Sequence, residues 1–525
     1  MRDRLFGVEV LSELAASAVG SATVPVAVAS VSLASRQQVP TDALLGETPA
    51  LPCSRARVLL ARGHYPSGQG RWANPKHGDF PWGGCFAMIR GVHEFRYVEG
   101  RLRGEGVALE SLARRFGTPL FVYSQQTFLN HFDRLTAALA PLDALVCYAV
   151  KANSNLAVLR TFADRGAGFD IVSQGELMRV LAAGGDAAKC VFAGVGKTEG
   201  ELEFALRQNI YCFNVESEPE LVRLNRIAGR LKLVAPVAVR VNPNVEAHTH
   251  AKITTGTYAN KFGIAFEAVA GLYARAARLA HVRLRGVQMH IGSQLTAVRP
   301  FAAAVQRLAP LVARLAGQYG LEFFSIGGGI GIVYEPALAS GRAAWWRTRA
   351  AQGILTPATY ARALVPWLRP LGLRILVEPG RFLAGNAGAL VTRVEYVKQT
   401  GGKRFVIVDA AMNDLIRPAF YDAHHEIVPL RLRAGRRGPA DVVGPICESS
   451  DYFAKDRLLP SLAEGDYLAL LSEGAYGSAM SSNYNSRPLA AEVMVRGSEV
   501  SLVRTRQAVE DLWRGEALAS WQGLC

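Results

Sequence analysis

A lysine at the end of an apolar run is the first feature of this sequence that could do chemistry. Lys151 directly follows residues 145–150, Leu-Val-Cys-Tyr-Ala-Val, which have the composition of a buried β-strand. One interpretation is that its ammonium only reaches solvent while its stem packs on apolar surface. The other is that partial burial weakens its hold on the proton, so that the amine becomes the nucleophile of a Schiff base.

A glycine run further along the chain suits a phosphate group. Residues 327–331 read Gly-Gly-Gly-Ile-Gly, and such a segment offers backbone N–H groups without Cβ obstruction. The run is not the dinucleotide motif G-x-G-x-x-G, because position 332 is isoleucine. Together with Lys151, a flat ring such as His290 and a carboxylate such as Glu378, it indicates pyridoxal 5'-phosphate as the cofactor. That cofactor favours carbanion chemistry at Cα, including decarboxylation.

Three other patterns are weaker candidates. Residues 194–198, Gly-Val-Gly-Lys-Thr, resemble a P-loop, but the first glycine of that motif would be position 191, which is valine. The pairs His248/His250 and His424/His425 lack further cysteine or histidine at ligand spacing, so we expect no metal site. The seven cysteines are scattered without a C-x-x-C pair, which favours a reducing compartment and a cytoplasmic protein.

Eight short apolar runs alternate with helical stretches from about residue 120 onward. The runs cover 145–150, 168–172, 190–193, 210–214, 236–241, 284–290, 321–326 and 373–377. Near-continuous apolar strands separated by helices predict a parallel sheet covered on both faces. Eight such units predict an α/β protein with a (β/α)8 barrel, and an open doubly wound sheet is the alternative. After residue 385 half-buried strand patterns predominate, which predicts a second, mostly β domain (a sandwich or barrel).

The barrel prediction explains how the candidate residues could meet. Active sites of such barrels lie at the carboxyl ends of the strands. The predicted strand ends carry, in chain order, Lys151, Asp170, His290, the glycine run and Glu378. Phosphate sites in these barrels commonly follow strands seven and eight, which is where the glycine run falls. We therefore expect one polar rim that holds the cofactor.

Length and charge place limits on the remaining possibilities. The chain has 525 residues and a formal net charge of +15, but its basic residues are spread along the sequence, so we expect no nucleic-acid partner. Residues 15–35 carry no charge, yet serine, glycine and proline interrupt them, so we expect no membrane span. The predicted order is a poorly ordered extension at 1–85, strands joining the β domain at 86–118, the barrel at 119–385 and the β domain at 386–525.

Several segments in register resemble the fold type III, alanine-racemase-like amino-acid decarboxylases, which bind pyridoxal phosphate. These segments are 148–153, 290–294, 327–329, 378–381 and 447–451. Within that group the chain most resembles the diaminopimelate decarboxylase family. The closer resemblance rests on the segments 240–250, 255–256, 261–264, 416–422 and 453–457. It covers about residues 86–520.

The resemblance implies a role for each matching residue. Cofactor-binding roles fall on Lys151, which would carry the Schiff base, and on Asp170, His290, Ser293, Gly327, Gly328, Gly329, Glu378, Gly380, Arg381 and Tyr476. Substrate-binding roles fall on Arg381, Arg417, Tyr421, Glu448 and Tyr476. The implied catalytic residues are Lys151, His290 and Cys447, with the Cys447 thiol as the proton donor.

The reaction that the resemblance implies is decarboxylation of meso-2,6-diaminopimelate to L-lysine, the last step of lysine biosynthesis. It also implies a homodimer in which Cys447 and Glu448 complete the site of the partner subunit. A related decarboxylase acting on ornithine, arginine or another amino acid is the nearest alternative, and a racemase and a non-catalytic cofactor-binding protein are two others. Residues 338–356 extend the family's usual loop, and we expect Trp345 and Trp346 there to serve packing.

Overall fold

Eight parallel strands close into a barrel in the computed structural model, which describes residues 92–246 and 260–523. The barrel strands are, in chain order, Ala144–Ala149, Gly168–Ile171, Cys190–Phe192, Cys212–Val215, Ala235–Asn242, Val282–Met289, Phe323–Ser325 and Arg374–Val377. Each strand pairs in parallel with the next, and the eighth pairs with the first. The predicted barrel is therefore confirmed, and the alternative of an open sheet is wrong. A short strand, Ile264–Ala265, pairs with the fifth.

Apolar side chains from six strands fill the barrel interior. They are Cys147, Val191, Cys212, Ala238, Phe323 and Leu376, and all are fully buried. Gly286 faces the Phe323 ring so closely that a Cβ at position 286 would lie 2.6 Å from it. Because helices cover the outer face as well, each strand appears in the sequence as a continuous apolar run rather than an alternating one.

Helices connect the barrel strands and cover the sheets. The described helices are Leu109–Phe116, Gln125–Leu139, Leu156–Ala163, Gln174–Ala182, Glu199–Arg207, Glu218–Leu231, Val269–Ala276, Arg299–Tyr319, Ala337–Ser340, Pro357–Leu368, Arg381–Ala384 and Arg417–Tyr421. Thr198 and Glu201 form a capping box at one helix start, and the buried Lys197 Nζ lies 2.6 Å from Glu220 Oε1. These contacts explain the P-loop-like residues 194–198 as parts of the fold.

A second, mostly antiparallel sheet follows the barrel. Its strands are Leu120–Ser124, Gly388–Thr400, Lys403–Val408, Ile427–Pro429, Gly438–Val443, Tyr452–Leu459, Tyr467–Leu471, Ala491–Arg496 and Glu499–Arg504. The long strand Gly388–Thr400 pairs with three others. One of these is Leu120–Ser124, so this segment belongs to the second sheet although it lies inside the range 119–385 that the sequence assigned to the barrel.

A small sheet of Phe95–Val98, Arg101–Gly104 and Val107–Ala108 packs against this second sheet. The predicted extension 1–85 and the motif residues 247–250 and 255–256, with His248 and His250, lie outside the described residues. Within 92–246 and 260–523, no helix has the length and apolar character needed to span a membrane. The same part of the chain holds no cluster of three or more His, Cys, Asp or Glu suited to a metal ion.

Candidate active site

A cavity of about 560 Å³ opens at the carboxyl ends of the barrel strands. Ten of the residues predicted from the sequence line it: Lys151, His290, Ser293, Gly329, Glu378, Gly380, Arg381, Arg417, Tyr421 and Tyr476. The barrel contributes most of them, whereas Arg417, Tyr421 and Tyr476 come from segments of the second domain. The cavity therefore lies where the barrel rim meets the β domain.

Lys151 lies two residues beyond the end of the first strand, in the short 3-10 segment Val150–Ala152. Its Nζ donates a hydrogen bond to Asp170 Oδ2, at the end of the second strand. Burial is the largest single influence and lowers the pKa of Lys151, but the interactions with Asp170, Tyr476 and Glu176 together raise this pKa above its ordinary value. Burial acts on the lysine proton in the expected direction, but the contact with Asp170 helps to keep the amine charged.

Glu378, at the end of the eighth strand, is buried with both carboxylate oxygens bonded. Ser325 Oγ donates to Oε1 at 2.6 Å, and Gln288 Nε2 donates to Oε2 at 2.9 Å. Burial, followed by the negative charge of Asp170, raises the pKa of Glu378 to about 7. Both hydrogen bonds come from neutral groups, so a cation placed against this carboxylate would stabilise its charge.

His290 and the glycine run form the next part of the rim. The Gly328 N–H donates to His290 Nδ1 at 3.2 Å, so that nitrogen is an acceptor. Burial and the charges of Arg240 and Lys151 hold the pKa of His290 well below its ordinary value, which leaves the ring neutral. A Cβ at Gly328 would lie 2.1 Å from the carbonyl oxygen of Glu378. This glycine therefore lets two barrel loops pack against each other.

The three glycines differ in where they lie. Gly329 lines the cavity, whereas the N–H of Gly327 donates to Ser325 Oγ at 3.3 Å. Gly327 has a φ of +68° and its missing Cβ would lie 2.2 Å from Met289 O, so only glycine fits there. The run thus meets a packing requirement of the fold as well as facing the cavity.

Two arginines and two tyrosines form one wall of the cavity. Arg381 donates from Nη1 to Tyr334 Oη at 2.6 Å and from Nη2 to Ser293 Oγ at 3.2 Å. The Arg381 guanidinium also lies 4.7 Å from the centre of the Tyr476 ring. Tyr476 adopts a left-handed φ of +59°, and its N–H donates to Ala152 O at 2.8 Å, which fixes the ring beside the first strand.

Tyr334 is a lining residue that the sequence analysis missed. Its ring centre lies 4.7 Å from the Arg417 guanidinium, so it contacts both arginines of the wall. A usable signal existed, since Tyr334 comes three residues after the glycine run and therefore lies near the predicted rim. Ser325 and Gln288 were missed too, because a serine and a glutamine inside apolar strands give little sign of a site.

Cys447 and Glu448 do not line the cavity of their own chain. Cys447 is exposed, and its N–H donates to Asn485 Oδ1 at 3.3 Å. Glu448 Oε1 accepts a hydrogen bond from Tyr484 Oη at 2.5 Å. Buried Asp451 stabilises the loop that carries them, because its carboxylate accepts a hydrogen bond from the Ile446 N–H at 2.7 Å.

Trp345 and Trp346, for which the sequence predicts a packing role, contact each other and their own segment. The rings of Trp345 and Trp346 meet edge to face, with centres 5.1 Å apart. Trp346 Nε1 donates to Ser340 O at 2.8 Å within the same segment. Neither residue lines the cavity.

The cavity fits pyridoxal phosphate on three observations. It contains the primary amine of Lys151. It also contains the buried carboxylate of Glu378, whose two hydrogen-bond donors are neutral, so the cationic pyridine nitrogen of the cofactor would stabilise its charge. Among the described residues, Nε of Arg381, which lines the cavity, is buried without a hydrogen-bond partner, and so is Oδ1 of Asp170, the partner of Lys151. Such atoms in a native site indicate a missing polar partner, and the polar substituents of the cofactor are of the right kind.

Comparison with known proteins agrees with this chemistry. Residues 125–385 match the family model described as "Pyridoxal-dependent decarboxylase, pyridoxal binding domain". The chain is 50% identical over 427 residues to diaminopimelate decarboxylase of Vibrio cholerae, an alignment that covers 81% of this chain and 99% of the relative. It is 51% identical over 428 residues to the Pseudomonas aeruginosa protein of the same name, with the same coverage.

A solved structure gives the same answer. The crystal structure of Helicobacter pylori diaminopimelate decarboxylase complexed with L-lysine superposes with a TM-score of 0.72 at 40% identity. The match covers 77% of this chain and 98% of that one. The fold, the cofactor chemistry and the extent of these matches agree, and the chain belongs to the pyridoxal-phosphate-dependent diaminopimelate decarboxylases.

Proposed function

We propose that this protein releases CO2 from meso-2,6-diaminopimelate to give L-lysine, the last step of lysine biosynthesis. The observation that carries the proposal is the presence of two buried guanidinium groups, Arg381 and Arg417, in the same cavity as Lys151. Arginine binds a carboxylate through paired hydrogen bonds. A substrate with two carboxylates keeps one of them after CO2 is released, and that carboxylate can bind these arginines. A substrate with a single carboxylate keeps none, so it suits this cavity wall less well.

The cavity residues divide into cofactor-holding and substrate-holding groups. Lys151 would bind the cofactor covalently, His290 would cover its ring, and Glu378 would face its pyridine nitrogen. The phosphate group would lie against Ser293 and the loop Gly327, Gly328 and Gly329, and Gly380, Arg381 and Tyr476 would also contact the cofactor. When bound, pyridoxal phosphate supplies an electron-accepting ring that stabilises the negative charge left on Cα as CO2 departs.

The charge state of the buried carboxylates suits this division. Asp170 holds a proton on Lys151 Nζ and can also accept one from it, since Oδ2 is already in hydrogen-bond contact. Glu378 has a pKa near 7, so a cationic ring nitrogen beside it would draw it into the ionised form. Arg381, Arg417 and Tyr421 would bind the carboxylate that the product retains.

Protonation of Cα requires an acid, and we assign it to the thiol of Cys447. Because Cys447 and Glu448 lie outside the cavity of their own chain, we propose that a second copy of the chain supplies them. The active unit is then a homodimer with each site built from two subunits. Glu448 would bind the ammonium group at the distal end of the substrate.

A substrate panel tests the reaction. We expect CO2 release from meso-diaminopimelate and little from ornithine, lysine or arginine measured in parallel. Preferential turnover of any of these three would replace the proposal with the alternative of a related decarboxylase. Product formation without CO2 would point to a racemase, and cofactor binding without turnover would point to a non-catalytic protein.

Mixing two inactive variants tests the shared site. Lys151→Ala and Cys447→Ala subunits are co-expressed with different tags, so that the mixed dimer can be isolated. If sites are shared, one of the two sites in that dimer has both residues, and we expect roughly half of the wild-type activity. Activity no greater than that of the separate variants would show that each chain uses its own cysteine.

A further inference from the structure

Three buried side chains, Arg417, His425 and Glu473, contact one another in series at the wall of the cavity that carries Arg417. Arg417 Nη1 lies 2.6 Å from His425 Nε2, and His425 Nδ1 lies beside the Glu473 carboxylate. His425 and Glu473 are fully buried and Arg417 is 6% exposed. Only Arg417 of the three lines the cavity. The other two therefore act on the site, if at all, through this arginine.

Donor and acceptor chemistry fixes the form of the histidine. An arginine nitrogen can only donate, so His425 Nε2 must accept and carries no proton. The ring proton is then on Nδ1, which donates to Leu471 O at 3.0 Å. The neutral imidazole thus gives the buried Arg417 guanidinium a hydrogen-bond acceptor, which lowers the cost of burying it.

Tyr334 holds the arginine from the cavity side. Its ring centre lies 4.7 Å from the Arg417 guanidinium and 5.2 Å from the His425 ring, which it meets edge to face at 81°. Its hydroxyl is held in turn by Arg381 Nη1. Arg417 is therefore fixed by a hydrogen bond at one nitrogen and by an aromatic face, which leaves its other nitrogen donors for a ligand.

We propose that His425, oriented by its hydrogen bond to Leu471 O, is a positioning residue that sets the Arg417 guanidinium for the carboxylate that the product retains. The ring of Tyr334, which contacts both Arg417 and His425, also holds the Arg417 guanidinium in place. The inference rests on the proposed function, because it assigns the retained carboxylate to Arg417. It predicts that His425 affects binding of carboxylate-bearing ligands more than it affects the chemical step.

Two substitutions of similar polarity separate positioning from packing. In His425→Gln the amide reaches the place of Nε2 and can still accept from Arg417. In His425→Asn the amide reaches only the place of Nδ1, so the contact with Arg417 is lost. Both variants are compared in the dimeric holoenzyme by KM and kcat for meso-diaminopimelate, and by inhibition with L-lysine and with cadaverine, which is lysine without its carboxylate.

We expect His425→Asn to raise KM and the inhibition constant for L-lysine by about tenfold or more, with kcat changed much less. The inhibition constant for cadaverine should stay within about twofold, and His425→Gln should recover most of the loss. Equal shifts for lysine and cadaverine, or no advantage of glutamine over asparagine, would overturn the proposal.

Two controls keep the result interpretable. If His425→Asn does not fold, Tyr334→Leu, which removes the ring beside Arg417, should show the same selective weakening for lysine, and an unselective effect would count against the proposal. Wild-type turnover of meso-diaminopimelate is measured first. Its absence would reject the proposed function, whereas normal wild-type turnover with unselective variants would reject only the positioning role.

Discussion

Asp170 accepts a hydrogen bond from Lys151 across the carboxyl ends of two neighbouring barrel strands. The register of the sheet sets this contact, because Ala149 in the first strand lies directly opposite Asp170 in the second. Lys151 lies two residues further on, in the 3-10 segment Val150–Ala152, and its Nζ reaches Asp170 Oδ2. The carboxylate that governs the lysine proton is thus fixed by strand pairing rather than by a loop.

Replacing Lys151 by alanine should abolish both cofactor attachment and turnover. The variant loses the amine that would hold pyridoxal phosphate, so the visible absorption band of the purified enzyme and CO2 release should disappear together. The control is Lys398→Ala, which removes an exposed lysine from the strand Gly388–Thr400. Activity retained by Lys151→Ala would remove this residue from its proposed role.

Replacing Asp170 by asparagine should lower the pKa of Lys151. Burial lowers this pKa and Asp170 raises it, so removing the carboxylate leaves burial as the main influence. More of the lysine is then unprotonated at a given pH, and apoprotein should take up pyridoxal phosphate at lower pH than the wild type does.

The rate of cofactor uptake by apoprotein, followed by absorbance from pH 6 to pH 10, checks this prediction. The exposed Asp164, changed to asparagine, is the control for a lost surface carboxylate. An uptake profile that stays in place or moves to higher pH in Asp170→Asn would contradict the assignment.

The sequence predicts the barrel side of the site well, for a physical reason. Residues at the ends of buried parallel strands must meet at one rim, so Lys151, Asp170 and Glu378 could be grouped before any coordinates were known. The rule does not extend to Tyr334, which lies on a loop. Its partners Arg381 and Arg417 come together only through the folded chain.

The β-domain side of the site was less predictable. In the sequence, His425 stands out only as half of a possible metal-binding pair. In the fold it contacts Arg417 and Glu473, which lie 8 and 48 residues away along the chain. Likewise, Leu120–Ser124 lies inside the range 119–385 predicted for the barrel, but it pairs with Gly388–Thr400. Local patterns identify strands, whereas strand partners depend on long-range packing.

Replacing Glu378 by glutamine should stabilise the apoprotein at high pH. The folded pKa of about 7 exceeds the ordinary value of 4.5, so between these values the unfolded chain releases its proton before the folded chain does. Stability due to this group is therefore highest below pH 4.5 and falls as pH rises towards 7. Glutamine removes that loss, and the Gln288 amide, which donates to Glu378 through Nε2, can turn over and accept from the new amide through Oε1.

Melting temperatures of wild-type and Glu378→Gln apoprotein at pH 5 and pH 8 check this expectation. The variant should melt higher by roughly 2 °C or more at pH 8, with a smaller difference at pH 5. Glu464→Gln, in an exposed loop, controls for the substitution itself. A variant that is destabilised equally at both pH values would show that Glu378 is held by its hydrogen bonds without a net cost of ionisation.

Replacing Cys447 by alanine should separate cofactor binding from turnover. Cys447 lies outside the cavity of its own chain, so its loss should leave the visible absorption band intact. A positioned general acid contributes typically about 10²–10⁴-fold, and kcat should fall within that range. Serine at 447 should restore little activity, because a hydroxyl is a much weaker acid than a thiol. Ser449→Ala, two residues along the same loop, should keep near wild-type rates, and an unchanged rate in Cys447→Ala would exclude this thiol as the proton donor.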